Sequence, residues 1–346
     1  MPEFELLYMK QYLLITLSVL LINCGSNNHI TEQTLEIVTG AKAIESANTI
    51  LAEDLKTHLY IIASDEFEGR NTGEPGQKMA AEYLKSFYIN SNIASPLGEQ
   101  DYFQEIPTEH LKPNIKPSEN VLAFIEGSDK PEEIVILSSH YDHIGVNSGQ
   151  IYNGADDDGS GTVALMEIAE AFQHAVQNGN RPKRSILFLH VTGEEKGLLG
   201  SKFYVNFPVF PLENTVADLN IDMIGRVDEA HKNNPDFVYL IGSDKLSTEL
   251  HNLSEEMNSR FTNLKLDYKY NDKDDPNRFY YRSDHYSFAK NNIPIIFYFN
   301  GTHEDYHKPS DTPDKINYDL LAKRTQLVFY TAWEVANREE RIIVDK

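Results

Sequence analysis

The chain has a single cysteine in 346 residues. That excludes an intramolecular disulfide and any thiolate-held zinc cluster. A metal in this protein must therefore be held by histidine and carboxylate side chains. Positive charge is also scarce. Lysine and arginine number 31 against 53 aspartates and glutamates, a net charge of −22. Such a surface repels phosphates, so no nucleic-acid partner is expected. Long hydrophobic runs are missing too. The apolar run 12–22 (YLLITLSVLLI) has 11 uncharged residues, whereas a membrane-spanning helix needs about 20. There is no internal repeat and no long low-complexity segment. With 40% hydrophobic and 24% charged residues, the chain is not disordered, collagenous or coiled coil as a whole.

The run at 12–22 fits the apolar region of a secretory signal, with Lys10 as its positive flank. Leu21-Ile22-Asn23-Cys24 resembles a bacterial lipobox, although Asn23 stands where a small residue is usual. The expectation is a signal peptide over 1–24, a lipid anchor on Cys24 and a polar tether over 25–34. Cys24 is the only membrane attachment expected, and the protein would then reside in the bacterial cell envelope.

From about residue 35 to 346 apolar strands and amphipathic helices alternate without a dividing linker, which predicts one domain. Strands are expected over 120–126, 133–139, 185–191, 216–222, 238–242 and 293–299. Helices are expected over 76–88, 161–176, 197–206, 245–258, 285–290 and 314–338, and 271–277 reads as an exposed loop. This alternation predicts an α/β fold, a three-layer αβα sandwich with a mostly parallel central sheet.

In open α/β sheets ligands bind beyond the carboxyl ends of the strands. Ionisable residues recur at those points in this sequence. The strand 133–139 runs into His140-Tyr141-Asp142-His143, and the turn 154–161 (GADDDGSG) opens the helix after it. The strand 185–191 is followed by Glu194-Glu195, the strand at 216–221 by Asp222, and the strand 293–299 by His303 and His307. Each motif alone is ordinary, because acids cap helices and solvate surfaces. Five of them at one sheet edge would repel each other unless a cation neutralised them. No lysine or arginine cluster interleaves with them, so divalent metal is the economical cation. Oxygen and imidazole ligands suit Zn²⁺, with Mn²⁺ or Co²⁺ as alternatives. The pattern predicts two metal ions bridged by Asp157, one completed by His140 and Asp222, the other by Glu195 and His307. Glu194 is then the general base, and Asp142 orients the His140 ring by accepting its second N–H.

Taken in order, HYDHIG, NGADDDGSGT, VTGEEKGLLGS, NIDMIG and YHKPSDT resemble the motifs of metallopeptidase family M28. These are co-catalytic zinc aminopeptidases of the aminopeptidase Y and bacterial leucyl aminopeptidase type. The segment 64–76 (SDEFEGRNTGEPG) is similar to this family as well, and the resemblance covers roughly residues 50–340. It implies the same sandwich fold, two zinc ions, and the same ligand and base residues. It also implies that His307, preceding Ser310-Asp311-Thr312, is the ligand rather than His303. The interval 89–119 is too short for the protease-associated insert of some relatives.

Other residues receive plainer expectations. His143 and His285 read as polar core residues, His190 as a strand-core residue and His174 as a helix-surface one. Asp156, Asp158 and Asp284 read as helix caps or supporting groups. Arg226 and Arg282 either pair with acids or meet a substrate carboxylate, and pairing is expected. Tyr280, Tyr281, Tyr298 and Phe299 read either as walls of a specificity pocket or as core aromatics, and core is expected. The expected activity is removal of amino-terminal residues from peptide substrates by metal-activated water. The alternatives are a glutaminyl cyclase on the same scaffold, a carboxypeptidase of the same clan, and an inactive envelope receptor for peptides.

Overall fold

In the computed structural model residues 40–346 are described. The apolar run 12–22, Cys24 and the tether over 25–34 lie outside the described residues. The chain divides into two compact units, Met1–Glu45 and Ser46–Lys346. Of the first, residues 40–45 are described and are helical. The second holds the sheet and every ionisable motif considered above.

The sheet has eight strands. In chain order these are β1 (Phe103–Ile106), β2 (Ser118–Ile125), β3 (Lys130–His140), β6 (Arg184–Val191), β7 (Thr215–Ile221), β8 (Phe237–Ile241), β9 (Lys265–Asp267) and β10 (Ile295–Phe299). A separate hairpin pairs β4 (Gly145–Asn147) with β5 (Gln150–Tyr152). The order across the sheet is β1-β2-β6-β3-β7-β10-β8-β9. Its centre is parallel, β6 with β3, β3 with β7 and β7 with β10. The strands β1, β2 and β8 join antiparallel. The expected mostly parallel α/β sheet is thus observed.

Burial on both faces explains the continuous apolar runs of the central strands. Ile134 and Ile136 of β3 share a core cluster with Tyr204 and Val205 of the helix Leu199–Asn206 and Phe288 of the helix His285–Ala289. Val135 and Leu137 alternate to the opposite face and are fully buried. Against β3 on that side packs the helix Gly161–Gln177, beside the helix Tyr318–Asn337. Phe172 of the former meets Phe329 and Trp333 of the latter, with ring centroids 4.9 and 5.9 Å apart. Burying each such side chain contributes about 1.5–3 kcal/mol before chain entropy is counted.

The connectivity matters more for function than the core does. From β3 the chain crosses to β6 on one side, then returns past β3 to β7 on the other. The carboxyl ends of β3, β6, β7 and β10 therefore meet at a topological switch point, where loops diverge and leave a crevice. Several elements lie beyond the expected set. The strands β1 and β9 are short edge strands of four and three residues that mix polar and apolar positions. The β4–β5 hairpin is too short to show alternation. The helix Ala52–Ile62 buries Leu55, Leu59 and Ile62 at helical spacing.

His190 lies in the core of β6, its Nε2 2.6 Å from the Tyr88 hydroxyl and its Nδ1 3.2 Å from Ser139 Oγ. Burial holds His190 and His285 down at about 3. In the unfolded chain each protonates near 6.5, so below that pH the unfolded state binds more protons. Stability is therefore complete above about pH 6.5 and declines as pH falls, by up to about 1.4 kcal/mol per pH unit for each histidine. Replacing His190→Gln is expected to make the fall in unfolding free energy between pH 6.5 and 5 shallower by about that slope. Parallel pH profiles for the two proteins would contradict this.

Candidate metal centre

All but one of the ionisable motifs follow a strand of the parallel centre. His140 is the last residue of β3 and Asp222 follows β7 directly. Glu194 and Glu195 lie in the loop after β6, and His307 lies in the loop after β10. Asp157 comes from the turn that opens the helix Gly161–Gln177, and its peptide bond to Asp158 is cis. These residues converge. His140 Nε2 lies 3.3 Å from Asp157 Oδ1 and 3.7 Å from Asp222 Oδ1. His307 Nε2 lies 2.9 Å from Asp157 Oδ2 and 3.4 Å from Glu195 Oε1. The Asp157 carboxylate thus stands between two imidazoles, each with a second carboxylate beside it. Glu194, Asp157, Asp222 and His307 also line a cavity that reaches the aromatic residues Phe279, Phe297 and Phe299.

The donor atoms are buried and lack partners. His140 Nε2, Asp157 Oδ2 and Glu195 Oε1 accept or donate no hydrogen bond. Buried polar atoms are seldom left so, since each costs about 1–3 kcal/mol. Their convergence, with oxygen and nitrogen donors only, fits divalent metal ions. Among the described residues, His140 with Asp158 and Asp222, and Asp157 with His143 and Glu195, each bring one donor atom within 4.8 Å of one another. The cluster separates charge. Against the cost of burial, Asp157 and Asp222 hold the His140 imidazole well above its usual range. Burial and the Asp157 charge push Glu195 up, yet the neighbouring His143 and His307 imidazoles bring it to about 2. Burial pushes the Glu194 carboxyl well above the usual carboxylate range, opposed by His140 and reinforced by Asp284, Glu195 and Asp222.

The turn carrying Asp157 is clamped from several directions. Asp311 Oδ2 accepts the backbone N–H of Asp156 at 3.0 Å and of Asp157 at 3.2 Å. Asp158 Oδ1 accepts from Gly161 N at 2.9 Å and Met223 N at 3.0 Å, which starts the helix and ties it to the end of β7. A Cβ on Gly161 would lie 2.4 Å from that same carboxylate oxygen, so only glycine fits. Asp156 accepts from Gly225 N at 2.7 Å and meets His303 Nε2 at 3.1 Å. Asp156 and Asp158 are therefore supporting groups, as expected, and His303 is a partner of Asp156. The wholly buried Arg70 donates to the carbonyls of Ile62, Tyr141, Asn153 and Gly154 at 2.7–2.9 Å. It is the working residue of the 64–76 segment, and it joins the strand end at 141 to the turn at 154.

Several expectations need correction. The His140 Nδ1 lies 3.0 Å from the Asp142 backbone carbonyl but 3.8 Å from its carboxylate. The Asp142 carboxylate instead accepts the Thr72 hydroxyl at 2.7 Å and the Glu194 backbone N–H at 3.1 Å. His143 is buried as expected, yet it belongs to the cluster, its Nδ1 2.9 Å from Glu195 Oε1. Its place three residues beyond His140, past a strand end, was the available signal. Asp284 precedes its short helix, but its carboxylate makes no capping bond. Burial, opposed by His140 and reinforced by Asp142 and Asp222, raises it to about 7. Arg226 pairs as expected, with Asp305 at 2.9 Å. Arg282 does not, meeting only the Tyr306 hydroxyl at 3.3 Å and the Phe279 ring at 4.9 Å. Tyr298 is core as expected, whereas Phe299 is both core and cavity wall.

The model of Peptidase family M28 matches residues 120–332, more than half of the chain. The chain belongs to that family. Among curated M28-like relatives, the probable aminopeptidase YDR415C of Saccharomyces cerevisiae is 28% identical over 256 residues, 72% of this chain and 64% of its own length. The chain thus spans less than two thirds of that relative, and under half of the leucine aminopeptidases 2 it matches. Among solved structures, the zinc aminopeptidase BSAP from Bacillus subtilis superposes with a TM-score of 0.65 at 16% identity, over 84% of this chain and 96% of that one. Porphyromonas gingivalis glutaminyl cyclase superposes with a TM-score of 0.63 at 18% identity, over 81% and 97%. At these identities the superpositions establish the M28 sandwich itself.

Because Asp311 holds the Asp157 turn through backbone N–H groups, Asp311→Asn leaves every donor atom present but loosens the one between the imidazoles. Zinc affinity, read by competition with a chromogenic chelator, is expected to fall about 10–100-fold. Unchanged affinity would contradict the clamp.

Proposed function

We propose that this protein is a zinc-dependent aminopeptidase with a two-metal centre. The carrying observation is the Asp157 carboxylate, 3.3 Å from His140 Nε2 and 2.9 Å from His307 Nε2 through its two different oxygens. His140, Asp157 and Asp222 would hold one ion, and Asp157, Glu195 and His307 the other. When bound, the ions supply Lewis acidity toward a carbonyl oxygen and lower the pKa of a water toward 7.

The chain's own contribution is a proton carrier. Glu194 lines the cavity beside the cluster, and its backbone N–H is fixed by Asp142. Its raised affinity for a proton suits a group that removes one from water and delivers it to a leaving amine. Asp142 acts through Glu194 and through the carbonyl facing His140, so it is a positioning residue. The carboxylate-rich end of the cavity suits the free ammonium group of a peptide, which supports cleavage at the amino terminus. The zinc aminopeptidase and cyclase neighbours are compatible with either product on this fold. Without a specific feature favouring cyclisation, hydrolysis is the reading adopted.

Zinc-loaded protein is expected to cleave aminoacyl-nitroanilides, to lose activity to a chelator and to regain it with zinc. Glu194→Gln is expected to keep its zinc and lose about 10²–10⁴-fold in kcat. Near-wild-type turnover by zinc-loaded Glu194→Gln would overturn the role of Glu194. Ammonia release from a Gln-initiated peptide without nitroanilide cleavage would move the protein to the cyclases. The sequence around Cys24 further supports an envelope lipoprotein. Cys24→Ala is expected to shift the protein from the membrane fraction to the soluble one, and its retention in the membrane fraction would contradict a lipid anchor.

A further inference from the structure

Arg282 is the one arginine or lysine among the described residues that line the cavity at the metal centre. It is exposed and makes no ion pair there. That is unusual in a chain whose acids outnumber its bases 53 to 31. The contrast with Arg226 is direct, since that guanidinium is shared among Asp305, Glu304 and Asp311 at 2.9, 3.7 and 3.9 Å. Arg282 is instead positioned by neutral groups. Its Nη2 donates to the Tyr306 hydroxyl at 3.3 Å, and its guanidinium lies over the Phe279 ring at 4.9 Å. The Tyr306 ring in turn stacks on His307, with centroids 3.8 Å apart and planes 23° from parallel. A fixed, unpaired cation therefore stands beside the proposed metal ligand. The same cavity has an apolar lining from Met223, Phe279, Phe297 and Phe299.

The geometry points to Arg282 as the specificity residue of this site, selecting peptides whose amino-terminal side chain is acidic. The inference rests on the aminopeptidase reading above and names its substrate class. The ammonium group of such a peptide faces the carboxylates at one end of the cavity. The side-chain methylenes lie on the aromatic wall, and the carboxylate meets the guanidinium through charge-assisted hydrogen bonds. Glutamine has the same shape without the charge, so it gains the wall but not the ion pair. The protein's overall negative charge opposes the approach of acidic peptides, which leaves the discrimination to this local contact rather than to steering.

The test compares kcat/KM for Glu-, Gln-, Leu- and Lys-nitroanilide with the zinc-loaded full chain, its Arg282→Gln, Arg282→Lys and Arg282→Glu variants. The wild-type Glu-to-Gln ratio is expected to be at least about tenfold, equivalent to about 1.4 kcal/mol. It should fall severalfold between low and high salt, because an exposed ion pair is screened. Arg282→Gln should bring the ratio to about 1, Arg282→Lys should keep part of it, and Arg282→Glu should favour Lys over Glu. Ratios cancel any general loss of activity in a variant. Cleavage of Leu-nitroanilide with a wild-type Glu-to-Gln ratio at or below 1 overturns this inference and leaves the aminopeptidase reading standing. An equal ratio in wild type and Arg282→Gln overturns it likewise. No cleavage of any of the four substrates overturns the activity and the inference together.

Discussion

The backbone hydrogen bonds that clamp the 154–161 turn decide where Asp157 stands, and the other ionisable residues are arranged about that carboxylate. Asp311 holds the turn from the loop after β10, and Asp158 ties it to the end of β7. Arg70 ties it to the end of β3. None of these groups contributes a donor atom that faces both imidazoles. Each restricts the position of the residue that does, which is how a rigid frame fixes ligand direction before an ion arrives. The central parallel sheet adds the remaining requirement. Its switch in strand order brings four strand ends to one crevice, so residues far apart in sequence become neighbours.

The same crowding shapes the chemistry. Buried and half-buried carboxylates near one point repel each other, and the imidazoles partly neutralise them. Glu194 is the exception, since its carboxyl is driven toward the protonated state while Glu195 beside it is driven the other way. Two adjacent glutamates thereby meet opposite electrostatic surroundings. One is held by imidazole partners, and the other faces the cavity with its backbone fixed by Asp142.

Much of this was legible in the sequence. Apolar runs ending in His140, Glu194-Glu195 and Asp222 marked strand ends, and the sandwich followed from the alternation of elements. Four of the five residues expected as ligands were legible because each followed a strand end, and Asp157 because its acidic turn opens a helix; the structure brings the five side chains near one another. What escaped were contacts that depend on side-chain direction. The His140 ring reaches the Asp142 carbonyl rather than its carboxylate because the chain bends back within two residues. His143 carried a signal in its place past the same strand end as His140, but burial alone reads there as a core histidine. The pairing of Arg226 and the freedom of Arg282 depend on loops whose packing leaves no periodic signal. The edge strands β1 and β9 were too short to show a pattern.

The central claim is that Asp157 holds divalent ions on both of its oxygens. It is tested most directly by anomalous diffraction at the zinc absorption edge from crystals of the zinc-loaded protein. The account predicts two peaks flanking the Asp157 carboxylate, one on the side of His140 and Asp222 and one on the side of Glu195 and His307. A single peak away from Asp157, or none among these residues, would contradict it.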